Sequence, residues 1–273
     1  MESKGNMNIR INEKPTAIED GLTLGSVAAL HRSGADVLIL NGFPAPADSA
    51  LNAGDEIFLI RRGEAPTEEE LEGLMASRHT PGVHARLKQG VVGIAGVGGL
   101  GSAVAVALAR VGVGRLIVAD FDVVEPSNLN RQQYFIDQIG LNKVDALASN
   151  LRRINPYITV ETHCTLLGPD NVPTLFSACS IVVEAFDRAV MKAMLVNRVL
   201  ESMPHCTVVA ASGVAGYRPN NSISTRRVSR RLYLVGDSVS EAALGNGLMA
   251  PRVGIAAHHQ ANQAIRILLG EDE

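Results

Sequence analysis

Apolar and polar residues alternate with a period of two in Met7-Asn8-Ile9-Arg10-Ile11 and in Thr16-Ala17-Ile18, around Glu13-Lys14-Pro15, which predicts a hairpin. Thr23 holds the N-cap position of a short helix over residues 24–30 that Ser33-Gly34 stops. A continuous apolar strand follows at Val37–Leu40, then turns at Asn41-Gly42 and residues 52–55, then a last strand at Glu56–Ile60. Pro66 precedes Thr67-Glu68-Glu69-Glu70, a capping-box pattern for a helix running to about Arg78 and broken by Thr80-Pro81-Gly82. From Val91 the pattern changes to apolar strands followed by helical periods. Val91–Ala95 is a strand, residues 102–110 a small-residue helix, and residues 115–118 a second strand that finishes on Asp120-Phe121-Asp122. Asn142-Lys143-Val144 opens another helix, and residues 181–187 form a strand with acids at its end, ahead of a helix over 188–200. Pro251 starts a final helix over 253–269, on which Ile255, His258, His259, Asn262, Ile265 and Leu269 share one face.

Composition narrows the class. A chain of 273 residues fits one large domain or a medium domain with a small companion, and 46% hydrophobic residues suffice for a real core. Lys and Arg number 25 against 28 Asp and Glu, and the resulting net charge of −3 argues against a basic nucleic-acid surface. None of the 3 cysteines lies in a CxxC, so neither a disulfide framework nor a thiolate zinc site is expected. No charged start leads into an apolar run and no stretch of 18 apolar residues occurs, so neither a secretory signal nor a membrane span is expected. The expectation is a soluble protein of a reducing compartment, the cytoplasm.

The chemistry concentrates after Val91. Gly96-Val97-Gly98-Gly99-Leu100-Gly101 lies between a strand and a helix, and Asp120 stands 19 residues beyond Gly101. This is the dinucleotide-binding fingerprint, in which glycines let backbone N–H groups approach phosphate at a helix N-terminus and the acid takes ribose hydroxyls. The fingerprint alone does not separate ATP from a nicotinamide cofactor. The following segment does: Ser127-Asn128-Leu129-Asn130-Arg131-Gln132 and Lys143 add cations that a pyrophosphate already held by glycines does not need. Attack at the α-phosphorus of a triphosphate gathers charge on oxygens that Arg131, as a planar fork, and Lys143, as a point charge, can neutralise. Taken singly, each also reads as an ordinary loop arginine or helix-start lysine.

Two resemblances bring these signals together. The order hairpin, helix, strands in the first unit is that of a β-grasp (ubiquitin-like) domain. Asn41-Gly42-x-Pro44 with Leu51-x-x-Gly54-Asp55-Glu56-Ile57-x-Leu59-Ile60 resembles the ThiS sulfur carriers. Over residues 84–273, the blocks GVGGLG, ADFDVVEPSNLNRQ, NKVDALASNLRRINP and VVEAFD resemble the ThiF/MoeB/HesA adenylyltransferases, relatives of ubiquitin-activating enzymes. The implied organisation is a β-grasp domain over 1–63, a helical linker over 64–89 and a Rossmann-like α/β adenylation domain over 90–273. The implied reaction is ATP- and Mg²⁺-dependent adenylation of the C-terminal carboxylate of a separate ThiS-like carrier by a homodimer, in thiamin thiazole formation. Carried over residue by residue, Gly96, Gly98, Gly99 and Gly101 approach the phosphates and Asp120 takes the ribose. Arg131 and Lys143 supply cations, Asn128 and Gln132 supporting polar contacts, and Asp187 holds Mg²⁺. Asp187 reads equally as an N-cap of the helix behind it. The resemblance also implies an arginine ahead of the first strand that reaches a neighbouring subunit's phosphates; Arg78 is the candidate and Arg86 the substitute.

The chain departs from these two families at three places. ThiS-type carriers end in a free Gly-Gly, whereas Arg61-Arg62-Gly63 runs on into Glu64, so the fused domain reads as a structural or docking appendage unless cleaved. The zinc-binding CxxC pairs are absent, so no zinc is expected. Residues 218–234 hold no cysteine, and Cys164, Cys179 and Cys206 read as core residues. The run Thr225-Arg226-Arg227-Val228-Ser229-Arg230-Arg231 reads as a solvated loop or a surface for an acidic carrier. Residues 212–216 read as a plain turn or a bed for a glycine-rich tail, and His258 and His259 as core or interface polar residues. Other readings are adenylation of a molybdopterin or cysteine-pathway carrier, and a nucleotide-binding regulator inhibited by its own β-grasp domain. A NAD-dependent oxidoreductase is disfavoured by the lack of a Tyr-x-x-x-Lys pattern. A tRNA-modifying dehydratase of the same superfamily is disfavoured by net charge.

Overall fold

A computed structural model describes residues 5–271 except 13, 80 and 81. The chain divides into two compact units, Met1–Ala85 and Arg86–Glu273.

In the first unit, β1 (Asn6–Ile11) and β2 (Lys14–Glu19) form the expected antiparallel hairpin. Then come α1 (Leu24–His31), β3 (Val37–Leu40), the two-residue strand β4 (Phe43–Pro44) and β5 (Glu56–Ile60). The sheet order β2-β1-β5-β3-β4, with β1 and β5 parallel at its centre, is that of a β-grasp. Thr23 caps α1 by accepting from Ser26 N at 3.3 Å. Ile9, Leu24, Val27 and Ile57 form the core between helix and sheet, as the period-two pattern requires. Next is α2 (Glu68–Arg78), opened by the full Thr67–Glu70 capping box. It belongs to this unit: Lys14 pairs with Glu69, and Arg32 pairs with Glu64 and Glu70. Of the expected break after α2, Thr80 and Pro81 lie outside the described residues. The division between units falls within α3 (Val83–Lys88).

The second unit holds β6 (Val91–Ala95), α4 (Gly99–Arg110), β7 (Arg115–Asp120), α5 (Lys143–Ile154) and β8 (Thr159–Cys164). It continues with α6 (Val172–Leu175), β9 (Ile181–Glu184), α7 (Ala189–Ser202) and β10 (Thr207–Ala211). β11 (Ser224–Ser229), β12 (Leu232–Gly236) and α8 (Ala250–Leu268) complete it. The seven strands lie in the order β11-β12-β10-β9-β6-β7-β8, parallel throughout except for β11. α4, α5 and α8 cover one face, α6 and α7 the other. Strand order reverses between β6 and β9, and in such Rossmann-like sheets the ligand crevice opens at the carboxyl ends of those two strands.

Two details differ from the sequence pattern here. The buried face of α8 is Val253, Ala256, Ala257, Gln260, Ala261 and Ala264, while His258 and Asn262 are exposed. α8 packs on the small-residue helix α4, and alanines allow that close approach where isoleucines do not. The arginine run is not a loop: most of it forms β11, an edge strand whose alternation is masked by its charges.

Candidate functional site

α4 begins at Gly99, three residues earlier than the pattern suggested, so the glycine loop is itself the first turn of the helix. No side chain caps it, which leaves first-turn N–H groups open toward the crevice. Gly96 has φ +86°, and a Cβ there would sit 3.0 Å from the Ala185 carbonyl oxygen. A Cβ on Gly101 would overlap the Gly96 carbonyl oxygen, so loop and helix touch backbone to backbone. Fully buried Ser102 donates to Gly98 O at 2.6 Å and accepts from Gln133 N at 3.1 Å, joining the loop to the Asn-Arg-Gln segment.

Asp120, the last residue of β7, accepts from Val97 N at 2.8 Å through Oδ2 and from Asp122 N at 2.9 Å through Oδ1. It thereby fixes the glycine loop and its own turn, and each oxygen keeps a lone pair for a further donor. Tyr134, which the sequence reading passed over, donates its hydroxyl to Val97 O at 2.7 Å. Burial, with Asp120 and Asp122 nearby, pushes its pKa up, so it remains a donor.

Arg131 lies against the start of α4, its Cγ 3.4 Å from where a Gly99 Cβ would be. Its Nη1 donates to Ser127 O at 3.0 Å and Asn130 Oδ1 at 2.8 Å. Gln132 is buried with Nε2 3.7 Å from a Gly98 Cβ position, and its Oε1 has no partner. An unpaired buried amide beside a phosphate-type loop is a group awaiting a ligand or water. Asn128 is spent otherwise: its Oδ1 accepts from Glu125 N at 3.1 Å and closes the 3-10 turn Pro126–Asn128. Lys143, the first residue of α5, is buried, with Nζ 2.8 Å from Asp122 Oδ2.

At the other lip of the crevice, β9 stops at Glu184, and Asp187 lies beyond it on an exposed turn. Asp187 does not cap α7; that helix starts at Ala189 with Arg188 at its N-cap and no side-chain cap bond. Its carboxylate therefore faces solvent beside the turn that covers Gly96. Among the described residues no group of three or more His, Cys, Asp or Glu could hold a metal by itself. A single free carboxylate suits Mg²⁺, which commonly takes one or two carboxylates together with substrate phosphates. Arg78 ends α2 in the first unit, and Arg86 donates to Leu269 O at 2.7 Å, closing the last turn of α8.

The remaining candidates are mostly structural. Cys179 and Cys206 are buried, and burial pushes both thiols up to about 12. Cys164 departs from the core expectation: it ends β8, is exposed, and is in register with Asp120. His259 Nδ1 lies 3.0 Å from Thr225 Oγ1, and His258 Nδ1 lies 2.8 Å from Gly254 O. After β12, Asp237 meets Arg252 of α8 at 2.8 Å, both side chains nearly inaccessible. Asn130 donates to Leu248 O at 2.9 Å, so the loop ahead of α8 adjoins the Arg131 segment.

The sequence pattern of the ThiF family matches residues 74–273, and that of ThiS-like ubiquitin matches residues 7–63. The chain is 29% identical over 192 residues to the adenylyltransferase and sulfurtransferase UBA4 of Candida glabrata, covering 68% of this chain and 44% of that protein. It is 49% identical over 78 residues to ubiquitin-like modifier-activating enzyme 5 of Drosophila mojavensis, covering 29% of this chain and 20% of that protein. The chain thus spans less than half the length of these curated relatives. In structure it is similar to the E. coli tRNA N6-threonylcarbamoyladenosine dehydratase solved with ATP, at TM-score 0.68 and 21% identity over 76% of this chain and 98% of the other. That likeness shows a shared fold. No helix among the described residues is long and apolar enough to cross a membrane.

Proposed function

The chain belongs to the ThiF family, and from that premise we propose that it adenylates the C-terminal carboxylate of a separate ThiS-like sulfur carrier at the expense of ATP, in thiamin thiazole formation. The observation that carries the reading is the convergence of Gly98, Gly99, Arg131 and Gln132 at one helix N-terminus, with Asp120 hydrogen-bonded into the same loop.

The carrier carboxylate is ionised near neutral pH, so no general base is required. Its oxygen attacks the α-phosphorus, the bond to the pyrophosphate breaks, and pyrophosphate leaves with the electron pair. The open N–H groups of α4 receive phosphate oxygens, and Asp120 receives ribose hydroxyls on its remaining lone pairs. Arg131 holds the α-phosphate through its fork, and Lys143 exchanges Asp122 for a phosphate oxygen. Asp187 would hold Mg²⁺, which supplies charge neutralisation on the phosphates when bound. Positioning and fixed charge carry such a step.

In this reading the carrier is a separate chain, because the uncleaved fused domain offers no C-terminal carboxylate. Gly63 is peptide-bonded, Arg61 is tied to Glu64 and to Ser33 O, and the chain enters α2 four residues past Glu64. The match to ThiS-like ubiquitin supports the thiamin assignment. Exposed Phe135 and Ile136 beside the Arg131 segment support a second copy of the chain as a dimer partner. Carrier-dependent exchange of labelled pyrophosphate into ATP tests the reading. Arg131→Ala and Asp187→Ala are each expected to lose at least about a hundredfold, since each removes roughly 3 kcal/mol of transition-state stabilisation. Wild-type exchange in either variant would refute the corresponding role.

A further inference from the structure

Glu184 ends β9 three residues before Asp187 and is 0% exposed, yet it carries a carboxylate. Burial pushes its pKa up, and Lys192 with two backbone N–H groups opposes that shift. Oε1 accepts from Phe186 N at 2.7 Å and from Lys192 Nζ at 3.0 Å; Oε2 accepts from Lys192 Nζ at 3.1 Å and from Ala211 N at 3.4 Å. Lys192 Nζ also donates to Ala211 O at 3.1 Å, and Gln260 donates to the Glu184 carbonyl at 2.9 Å. One carboxylate and one ammonium thus join the end of β9, the end of β10 and the first turns of α7.

A buried ion pair is poor value as a stability element, because apolar residues of similar volume commonly do as well or better. This pair has a geometric consequence instead. The peptide N–H that Glu184 holds belongs to Phe186, the residue directly before Asp187. Ala185 N is anchored separately on Ala95 O at 3.0 Å, and the same turn lies over Gly96. Once these contacts are set, the Asp187 backbone has little freedom relative to the glycine loop.

We propose that Glu184 and Lys192 are positioning residues that hold the Asp187 turn in register with the phosphate loop, so that its carboxylate meets the metal of a bound nucleotide. The proposal rests on the reading of Asp187 as the Mg²⁺ ligand, and the test separates the two. Binding of a fluorescent ATP analogue is measured without divalent metal and then along a Mg²⁺ titration. The variants are Lys192→Met, Lys192→Arg, the double variant Glu184→Gln with Lys192→Met, and Asp187→Ala. Both Lys192→Met variants are expected to need about tenfold more Mg²⁺ at the midpoint, the usual scale for outer-shell losses, with metal-free affinity within about twofold of wild type. Lys192→Arg, which keeps the charge and the donors, restores most of the midpoint. If Lys192→Met does not fold because it strands a buried charge, the double variant, which strands none, decides. An unchanged midpoint in a folded double variant, an equal loss with and without metal, or failure of the double variant to fold would overturn the proposal. A wild-type Mg²⁺ response in Asp187→Ala would overturn the metal assignment beneath it.

Discussion

Lys143 and Asp122 hold each other at 2.8 Å, the lysine almost wholly buried and the aspartate half exposed. The α5 N-terminus reinforces the link, since Lys143 N donates to Asp122 O at 2.9 Å. In the proposed reaction Asp122 competes with phosphate for one ammonium. Asp122→Asn is therefore expected to tighten nucleotide binding about fivefold, the equivalent of about 1 kcal/mol for a half-solvated charge. Lys143→Ala is expected to weaken it. Equilibrium titration with a fluorescent ATP analogue distinguishes the two; equal weakening by both would mean that Asp122 contacts the ligand itself.

Gly101 has no room for a methyl group, because the Gly96 carbonyl occupies the space. Backbone on both sides cannot yield as a side chain would. Gly101→Ala should cost about 1–3 kcal/mol, a drop of several degrees in Tm for a unit of this size. Nucleotide affinity should fall along with it. A Tm within a degree of wild type in calorimetry would show that the loop can move.

Cys164 should be the one thiol in the folded chain that reacts readily at neutral pH, because Cys179 and Cys206 are buried and shifted to about 12. Mass spectrometry after brief alkylation is expected to find one adduct, on Cys164. Its register with Asp120 predicts that ATP slows the reaction several-fold. Labelling insensitive to ATP would place the nucleotide away from the end of β8.

Asp237 adds a pH dependence to stability. Burial alone would raise its pKa, but the N–H groups of Ser240 and Val239, the Ser240 hydroxyl and Arg252 outweigh burial and hold it at about 2, below the ordinary 3.8. The sign follows from linkage: a depressed carboxyl contributes stability above its unfolded pKa and loses it as pH falls through the folded one. The contribution at neutral pH is about 2 kcal/mol, fading between about pH 4 and pH 2. Urea titrations should therefore show a gap between wild type and Asp237→Asn at pH 6 that narrows toward pH 3. A constant gap would assign the effect to packing.

Elements with a clean period were legible: the β1–β2 hairpin, the Thr67 capping box and the strand β6 ahead of the glycine loop stand where their patterns put them. β4 was not, because two residues have no period. The start of α4 was misplaced because glycine argues against helix by propensity, whereas here it is required by close contact. The buried face of α8 was not legible because alanine and glutamine carry a weak apolar signal, although they fit a close helix contact best. Among site residues, the sequence separated Asp122 from Lys143 by 21 positions and Glu184 from Lys192 by 8, and only the fold brings each pair together. Ser102 and Tyr134 were hidden as ordinary polar residues.

The four arginines of the β11–β12 hairpin are not equivalent. Arg231 donates to Leu200 O at 2.6 Å and to Met203 O and Cys206 O at 2.9 Å, stitching the last turn of α7 to the start of β10. Any acidic visitor to this edge therefore meets the exposed Arg226, Arg227 and Arg230, of which Arg227 lies over the Tyr233 ring and donates to Arg230 O at 3.3 Å, while Arg231 is committed to the scaffold. A charge-reversal scan that pooled all four would confuse a collapsed scaffold with a lost encounter.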